Sequence, residues 1–233
     1  IASLEPNLQN MPIKTELGRR IRNAFVTQKG FSLVSFDYSQ IELRIAAFLS
    51  GDEGLTEIFT SGRDVHSEVA ARVFHVQQED VTYEMRRRAK VINFGILYGM
   101  GVNALRESLG TSRGEAQEFY DQYFTAFPRL AQYIEESKGD ASRLGYTETF
   151  FGRRRYLDGV QSHIPYVRAA AERMAINAPI QGTQADVVKL AMIHINELFE
   201  KEAGDKAFLL MQVHDELVFE IKDSEIDKLA PKI

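Results

Sequence analysis

The chain has 233 residues, 44% hydrophobic and 26% charged, with no cysteine, no tryptophan and a formal net charge of −5; this composition excludes disordered and fibrous architectures. A chain of this length buries roughly 70% of its unfolded surface, so it can build a core without staples, and the lack of cysteine excludes disulfides, cysteine nucleophiles and zinc–thiolate sites. No apolar run approaches the ~20 residues that span a bilayer, and the first nine residues lack the regions of a signal peptide, so the chain reads as soluble and intracellular with no membrane partner.

In chain order, residues 21–27 (IRNAFVT) and 31–37 (FSLVSFD) are β-rich and flank Gln28-Lys29-Gly30, which predicts a hairpin with glycine in its turn. From Ser39 the period changes, and Ile41, Leu43, Ile45, Ala46, Phe48 and Leu49 predict a helix ending near Ser50-Gly51. Helical patterns follow at about 53–60, 64–75, 82–98, 101–109, 112–125 and 128–144, punctuated by Gly62, Gly99, Gly110 and Pro128. Residues 146–157 predict a short hairpin around Phe151-Gly152-Arg153, and 166–178 and 183–203 two long helices broken at Pro179. Residues 207–213 and 217–221 are strands around a His214-Asp215-Glu216 turn, and an amphipathic helix starts from Ser224. The fold class is therefore α+β, with one antiparallel sheet built from both ends of the chain and a large helical insertion between them. Because the chain opens on Ile1 and stops at Ile233 within that last pattern, it is read as a fragment of a longer protein.

The charge is unevenly spread. From Glu197 to Ile233 ten acidic residues face five basic ones, leaving residues 1–196 balanced at 23 of each. Within the balanced part, Arg19-Arg20-x-Arg22, Arg86-Arg87-Arg88-x-Lys90 and Arg153-Arg154-Arg155 form a phosphate-contacting set, each run also being readable as a solvated face.

Asp37 ends one apolar strand and Asp215 follows another, so neighbouring strands would bring two carboxylates to one sheet edge. Close carboxylates repel and are reconciled by a shared proton or by cations, oxygen-only ligation favouring Mg²⁺. Two such ions would serve in-line phosphoryl transfer. The plain alternative is that Asp37 caps a helix and Asp215 makes a turn. Along 82–98, Arg86, Lys90, Phe94 and Tyr98 recur every four residues on one helix face, about 18 Å long at 1.5 Å per residue. Two cations leading into two aromatics suit a nucleoside triphosphate lying along the helix; an amphipathic helix with basic solvent contacts has the same spacing. Asn93 and Gly95 are poor helix formers there, so something besides propensity selects them.

The segments DYSQIELR at 37–44, RRRAKVINFGILYG at 86–99 and QVHDELV at 212–218 resemble motifs A, B and C of the family A DNA polymerases. PNLQNMP at 6–12, GRD-x-H at 62–66, FGRRR at 151–155 and ERMAINAPIQGTQAD at 172–186 extend the resemblance over essentially the whole chain. It implies a DNA-directed DNA polymerase, with palm at 1–43 and 146–233 and fingers at 44–145. Asp37 and Asp215 would hold two Mg²⁺ ions, helped by the Tyr38 carbonyl, with Glu216 as an auxiliary acid. These ions would activate the primer 3′-hydroxyl and stabilise the departing pyrophosphate. Arg86, Lys90 and His66 would meet the triphosphate, Lys90 also protonating the leaving group. Phe94 would pack on sugar and base, Tyr98 would stack near the templating position, and Ser39 and Gln40 would complete the nucleotide site.

Arg173, Asn177, Gln181, Gln212 and His214 would touch the template–primer minor groove, and Asn7, Gln9 and Asn10 the duplex backbone. A hydrogen-bonded structural histidine remains the alternative for His66 and His214. Glu42 would wall off the sugar 2′ position against ribonucleotides, a residue related RNA polymerases lack. Phenylalanine rather than tyrosine at position 94 implies discrimination against dideoxynucleotides. The partners implied are template–primer DNA and deoxynucleoside triphosphates, the state a monomer, and the place the bacterial cytoplasm, with phage or organellar origin as the alternative. The family's thumb, 3′–5′ exonuclease-like and 5′ nuclease domains have no counterpart in the sequence, which implies weak duplex grip. An RNA polymerase, another two-metal phosphoryl-transfer enzyme and a catalytically silent nucleic-acid-binding module are the competing readings.

Overall fold

The computed structural model describes residues 15–233, so Asn7, Gln9 and Asn10 lie outside the described residues. The elements are α1 (Glu16–Arg22), β1 (Phe31–Asp37), α2 (Ile41–Ser50), α3 (Glu53–Thr60), α4 (Val65–Phe74), α5 (Tyr83–Leu97), α6 (Val102–Leu109) and α7 (Arg113–Ala126). They continue with α8 (Pro128–Leu144), β2 (Tyr146–Glu148), β3 (Arg154–Tyr156), α9 (Pro165–Glu202), β4 (Ala207–Val213), β5 (Glu216–Lys222) and α10 (Ile226–Leu229). Two compact units divide them: the described residues up to Ser39 with Val187–Ile233, and Gln40–Asp186. The chain is helix-rich with small antiparallel sheets.

In the first unit, β1, β5 and β4 form an antiparallel sheet in the order β1-β5-β4, made, as expected, from segments near both ends of the sequence. Alternation along β5 buries Leu217, Phe219 and Ile221. The ring of Phe219 sits between Phe36 and Phe199, with centroids 5.7 and 5.6 Å away in edge-on geometry. Val188, Ile195, Phe199 and Ala203 place one apolar stripe of this stretch in the core.

Three expectations are corrected here. Residues 21–27 are not a strand: Ile21 and Arg22 complete α1, and the N–H groups of Asn23, Ala24 and Phe25 donate to the Arg20, Ile21 and Arg22 carbonyls at 3.0–3.1 Å. Thr15 caps α1, its hydroxyl accepting from the Gly18 N–H at 3.1 Å, and the basic last turn suits the helix dipole. The partner of β1 is instead β5, whose alternating buried face supplies a better surface than the local segment. Glu216 is not a turn residue but opens β5, paired with Val213; His214 and Asp215 alone turn the chain, with His214 at φ 55°. The helix from Ser224 is only α10, flanked by 3₁₀ turns.

In the second unit every helix expected between 39 and 144 is present within one or two residues. Asp52, 2% exposed, ties two of them. Its Oδ1 accepts from Leu55 N–H at 3.0 Å and caps α3, while Oδ2 accepts from Arg129 and Leu130 N–H at 3.1 and 3.2 Å in the first turn of α8. Pro128 fits that turn because its missing N–H would have had no helical partner.

The break expected at Pro179 is absent, and α9 runs through it. An interior proline forfeits a hydrogen bond and crowds the preceding turn, at a cost of ~3 kcal/mol. Burial of Ala175, Ile176, Ala178, Ile180 and Thr183 on both sides offsets it. The β2–β3 hairpin adds to this: Thr183 hydroxyl accepts from Phe150 N–H at 3.0 Å, and Arg153 donates to the Gly182 carbonyl and Asp186 carboxylate at 2.9 Å each. Thr149 lies so near Gly182 that a Cβ there would overlap it.

Replacing Asp52 by alanine removes both caps and strands three N–H groups, so Asp52→Ala should lower unfolding free energy by roughly 2–4 kcal/mol. Urea unfolding followed by circular dichroism measures this, and a loss below about 1 kcal/mol would contradict the double-cap role.

Candidate active site

In the first unit the strand register determines the acidic cluster. Asp37, last in β1, stands opposite Glu216, first in β5, and the Tyr38 N–H donates to the Asp215 carbonyl at 3.2 Å. Gln212 donates through Nε2 to the His214 carbonyl at 3.0 Å, bracing the turn from inside the hairpin. Partial burial, then the charges of Asp215 and Glu216, push the Asp37 carboxyl above the ordinary carboxylate range. Asp37, Asp215 and Glu216 are thus electrostatic neighbours, although β1 pairs with β5 and not with β4, the strand that Asp215 follows. Among the described residues no three or more histidine, aspartate or glutamate side chains are grouped so that they could together hold a metal ion. The donor set nonetheless fits Mg²⁺, which takes one or two carboxylates and fills its remaining positions with water and phosphate oxygens.

In the second unit α5 carries Arg86, Lys90, Phe94 and, just past its last residue, Tyr98 as its C-cap. Arg86, Phe94 and Tyr98 are each met by something the spacing did not reveal. Asp64, the N-cap of α4, takes the Arg86 guanidinium in a two-pronged pair at 2.9 and 3.0 Å while accepting from Ser67 N–H at 2.8 Å. Those bonds hold the Asp64 carboxyl down at about 2 despite burial, which opposes them. His66, 4% exposed, lies one residue into α4 with its ring 5.7 Å from that of Phe94. Burial pushes its imidazolium below the ordinary histidine range; Arg86 and Lys90 act the same way and Asp64 against them. Lys90 is exposed.

At the far end of α5 the Tyr98 hydroxyl donates to Glu42 at 2.9 and 3.3 Å, and Gln181 Nε2 reaches the same carboxylate at 3.5 Å. Asn177 donates to the Leu97 carbonyl at 3.2 Å. Gly99 has φ 68°, and a Cβ on it would meet Arg173 Cγ at 2.7 Å, so only glycine permits this approach. Glu42, Tyr98, Asn177, Gln181 and Arg173 therefore gather around one helix end. Gln40 stands before α2 in the left-handed region at φ 56°, and Ser39 precedes it in the other unit.

The basic runs divide. Arg87 and Arg88 pair with Glu84, so only Arg86 and Lys90 serve the face with the aromatics. Arg153 is engaged by Asp186 and Gly182, Arg154 pairs with Glu148 and lies 4.5 Å over the Tyr146 ring, and Arg155 donates to Met174 sulfur at 3.4 Å. This third run braces the hairpin. The partners of Arg86 and His66 were not legible in the spacing: Asp64 is an acidic N-cap ahead of a helical pattern, and Asn93, singled out in the sequence only as a poor helix former, lies in the buried phase of α5.

Because the Asp37 pKa is raised in the folded state, folding favours its protonated form. Stability is fully present below the ordinary carboxylate value and falls as pH rises through the raised one. Without divalent cations, Asp37→Asn should therefore melt about 1–2 °C above the parent at pH 7, with the gap closing near pH 3–4. An equal or lower melting temperature at neutral pH would contradict the crowding.

The family model of DNA polymerase family A matches residues 1–233. The thermostable DNA polymerase I of Thermus aquaticus is 49% identical over 230 residues, 99% of this chain and 27% of that protein. The DNA polymerase I of Pseudomonas aeruginosa is 47% identical over 233 residues, all of this chain and 25% of that one. The chain thus spans about a quarter of the length of the curated relatives it matches. Among solved structures, the POL domain of Pol1 from M. smegmatis, in complex with DNA primer-template and dNTP, superposes with TM-score 0.92 at 48% identity, covering 99% of this chain and 41% of that one. Matched from its first residue to its last, with the acids at the sheet end and the cationic–aromatic face of α5 both in place, this chain belongs to DNA polymerase family A.

Proposed function

We propose that this chain performs template-directed DNA synthesis, transferring deoxynucleotides to a primer 3′-hydroxyl, and that the face of α5 is where the incoming nucleotide lies. The observation that carries this is the order along that face: Arg86 at one end, Lys90 and then Phe94 with buried His66 beside it between, and Tyr98 bonded to Glu42 at the other. A triphosphate, a sugar and a base meet cation, ring and carboxylate in the sequence their chemistry requires.

In this reading residues 1–43 and 146–233 are palm and 44–145 fingers. Asp37 and Asp215, helped by the Tyr38 carbonyl and Glu216, would hold two Mg²⁺ ions, whose chemistry when bound is Lewis-acid activation of the primer hydroxyl and neutralisation of pyrophosphate charge. Arg86 exchanges its carboxylate partner for phosphate oxygens. Lys90 donates a proton to the leaving pyrophosphate, and Phe94 packs on the sugar and base. Glu42, kept upright by Tyr98 and Gln181, occupies the space a 2′-hydroxyl would need. Ser39 and Gln40 border the nucleotide; Arg173, Asn177, Gln181, Gln212 and His214 face the minor groove, and Asn7, Gln9 and Asn10 the duplex backbone. The bacterial relatives favour a cytoplasmic enzyme.

Single-nucleotide primer extension at high protein concentration with Mg²⁺ tests this. Extension with dNTP should vanish in Asp215→Ala, and extension that persists would overturn the assignment. Glu42→Ala should lower the deoxy-over-ribo preference by at least roughly tenfold, since a gate of this kind is worth about 1–3 kcal/mol. An unchanged ratio would remove Glu42 from the sugar site.

A further inference from the structure

One buried group in α5 has no part in the roles above. Asn93 is 0% exposed, in a helix interior where asparagine is a poor former. Its Nδ2 lies 3.0 Å from Nδ1 of His66, while its Oδ1 is buried with no partner among the described residues. Leaving a polar atom so costs roughly 1–3 kcal/mol. A leucine would fill the same space without it, so stability does not account for this residue.

The imidazole has two edges. Nδ1 faces the Asn93 amide, and a nitrogen that accepts an N–H there carries a lone pair, so a neutral ring has its proton on Nε2. The Asn93 bond is the only one the ring makes among the described residues, which leaves Nε2 as the free edge. The charged groups facing the ring are Asp64 at the start of α4 and Arg86 and Lys90 on α5. A neutral ring owns a single N–H. Towards a phosphate oxygen the free edge is useful only as a donor; a lone pair there would repel the anion.

We propose that Asn93 is a positioning residue that fixes His66 as its neutral Nε2–H tautomer, so that the free edge donates to an oxygen of the bound nucleoside triphosphate. The identity of the anion rests on the polymerase reading; the tautomer does not.

The test uses the full chain with ¹⁵N-labelled histidine and long-range ¹H–¹⁵N NMR near pH 7, without nucleotide or DNA, the His66 signals being identified by their loss in His66→Gln. The parent should show an unprotonated Nδ1 and a protonated Nε2. In Asn93→Asp the carboxylate accepts rather than donates, which should draw the proton to Nδ1 and raise the pH at which the ring titrates. In Asn93→Leu the tautomers should mix. In single-nucleotide extension Asn93→Leu should raise the dNTP KM roughly fivefold, the worth of one net hydrogen bond, with kcat within about twofold. For Asn93→Asp the KM should also move with pH across the ring's titration. A proton on Nδ1 in the parent, or the same tautomer in Asn93→Leu, overturns the positioning role; a lost tautomer with unchanged KM overturns the donor role. Because the NMR arm needs no substrate, a parent chain that extends no primer counts against the polymerase reading alone.

Discussion

The pairing of β1 with β5 holds Asp37 against two other acids, and much of the molecule's chemistry follows from that confrontation. Like charges brought together disfavour the compact state, so something else must hold them there. The backbone does: seven residues of β1 align with seven of β5, and the Tyr38 N–H extends the ladder to the Asp215 carbonyl. Burial of Leu217, Phe219 and Ile221 supplies the free energy that keeps the carboxylates together. An arrangement that is unfavourable alone is complementary to a cation, and preorganised charge of this kind is how a fold prepares for charge that arrives later.

The helical unit follows the same logic with opposite charges. Asp64 holds Arg86, Asn93 holds His66, and Glu42 is held by Tyr98 and Gln181. Groups that would otherwise sample many rotamers are ordered in advance, so less conformational entropy is lost when a ligand binds. The scaffold beneath them is fixed by ordinary means: Asp52 joins the starts of α3 and α8, and the β2–β3 hairpin lies on α9 through Arg153, Thr149 and Gly182.

Helix and turn placement was readable from local pattern because both depend on neighbours in sequence. The run from Ile41 to Leu144, with its glycines, prolines and capping residues, yields α2 to α8 nearly to the residue. The recurrence of Arg86, Lys90, Phe94 and Tyr98 along one face was readable for the same reason, whereas the meeting of Asp37 with Asp215 depended on a strand pairing that local pattern left open. Pattern failed where distant partners decided. Residues 21–27 have β-rich composition yet close a helix, because β1 found its partner about 190 residues away. Pro179 carries the strongest local stop signal, yet packing on both sides of it keeps α9 whole.

The sequence by itself determined the helix-rich α+β class of the fold, the helical periods and which side chains share one face of α5, since composition, period and motif spacing are local properties. Only the tertiary structure decided what each of those side chains faces. That the Arg86 guanidinium is already paired, that the His66 ring is buried against an amide, and that Glu42 is braced by two residues from other helices are consequences of packing. Such contacts join residues separated by 22, 27, 56 and 139 positions, and no local pattern encodes them because their free energy exists only once the core has formed.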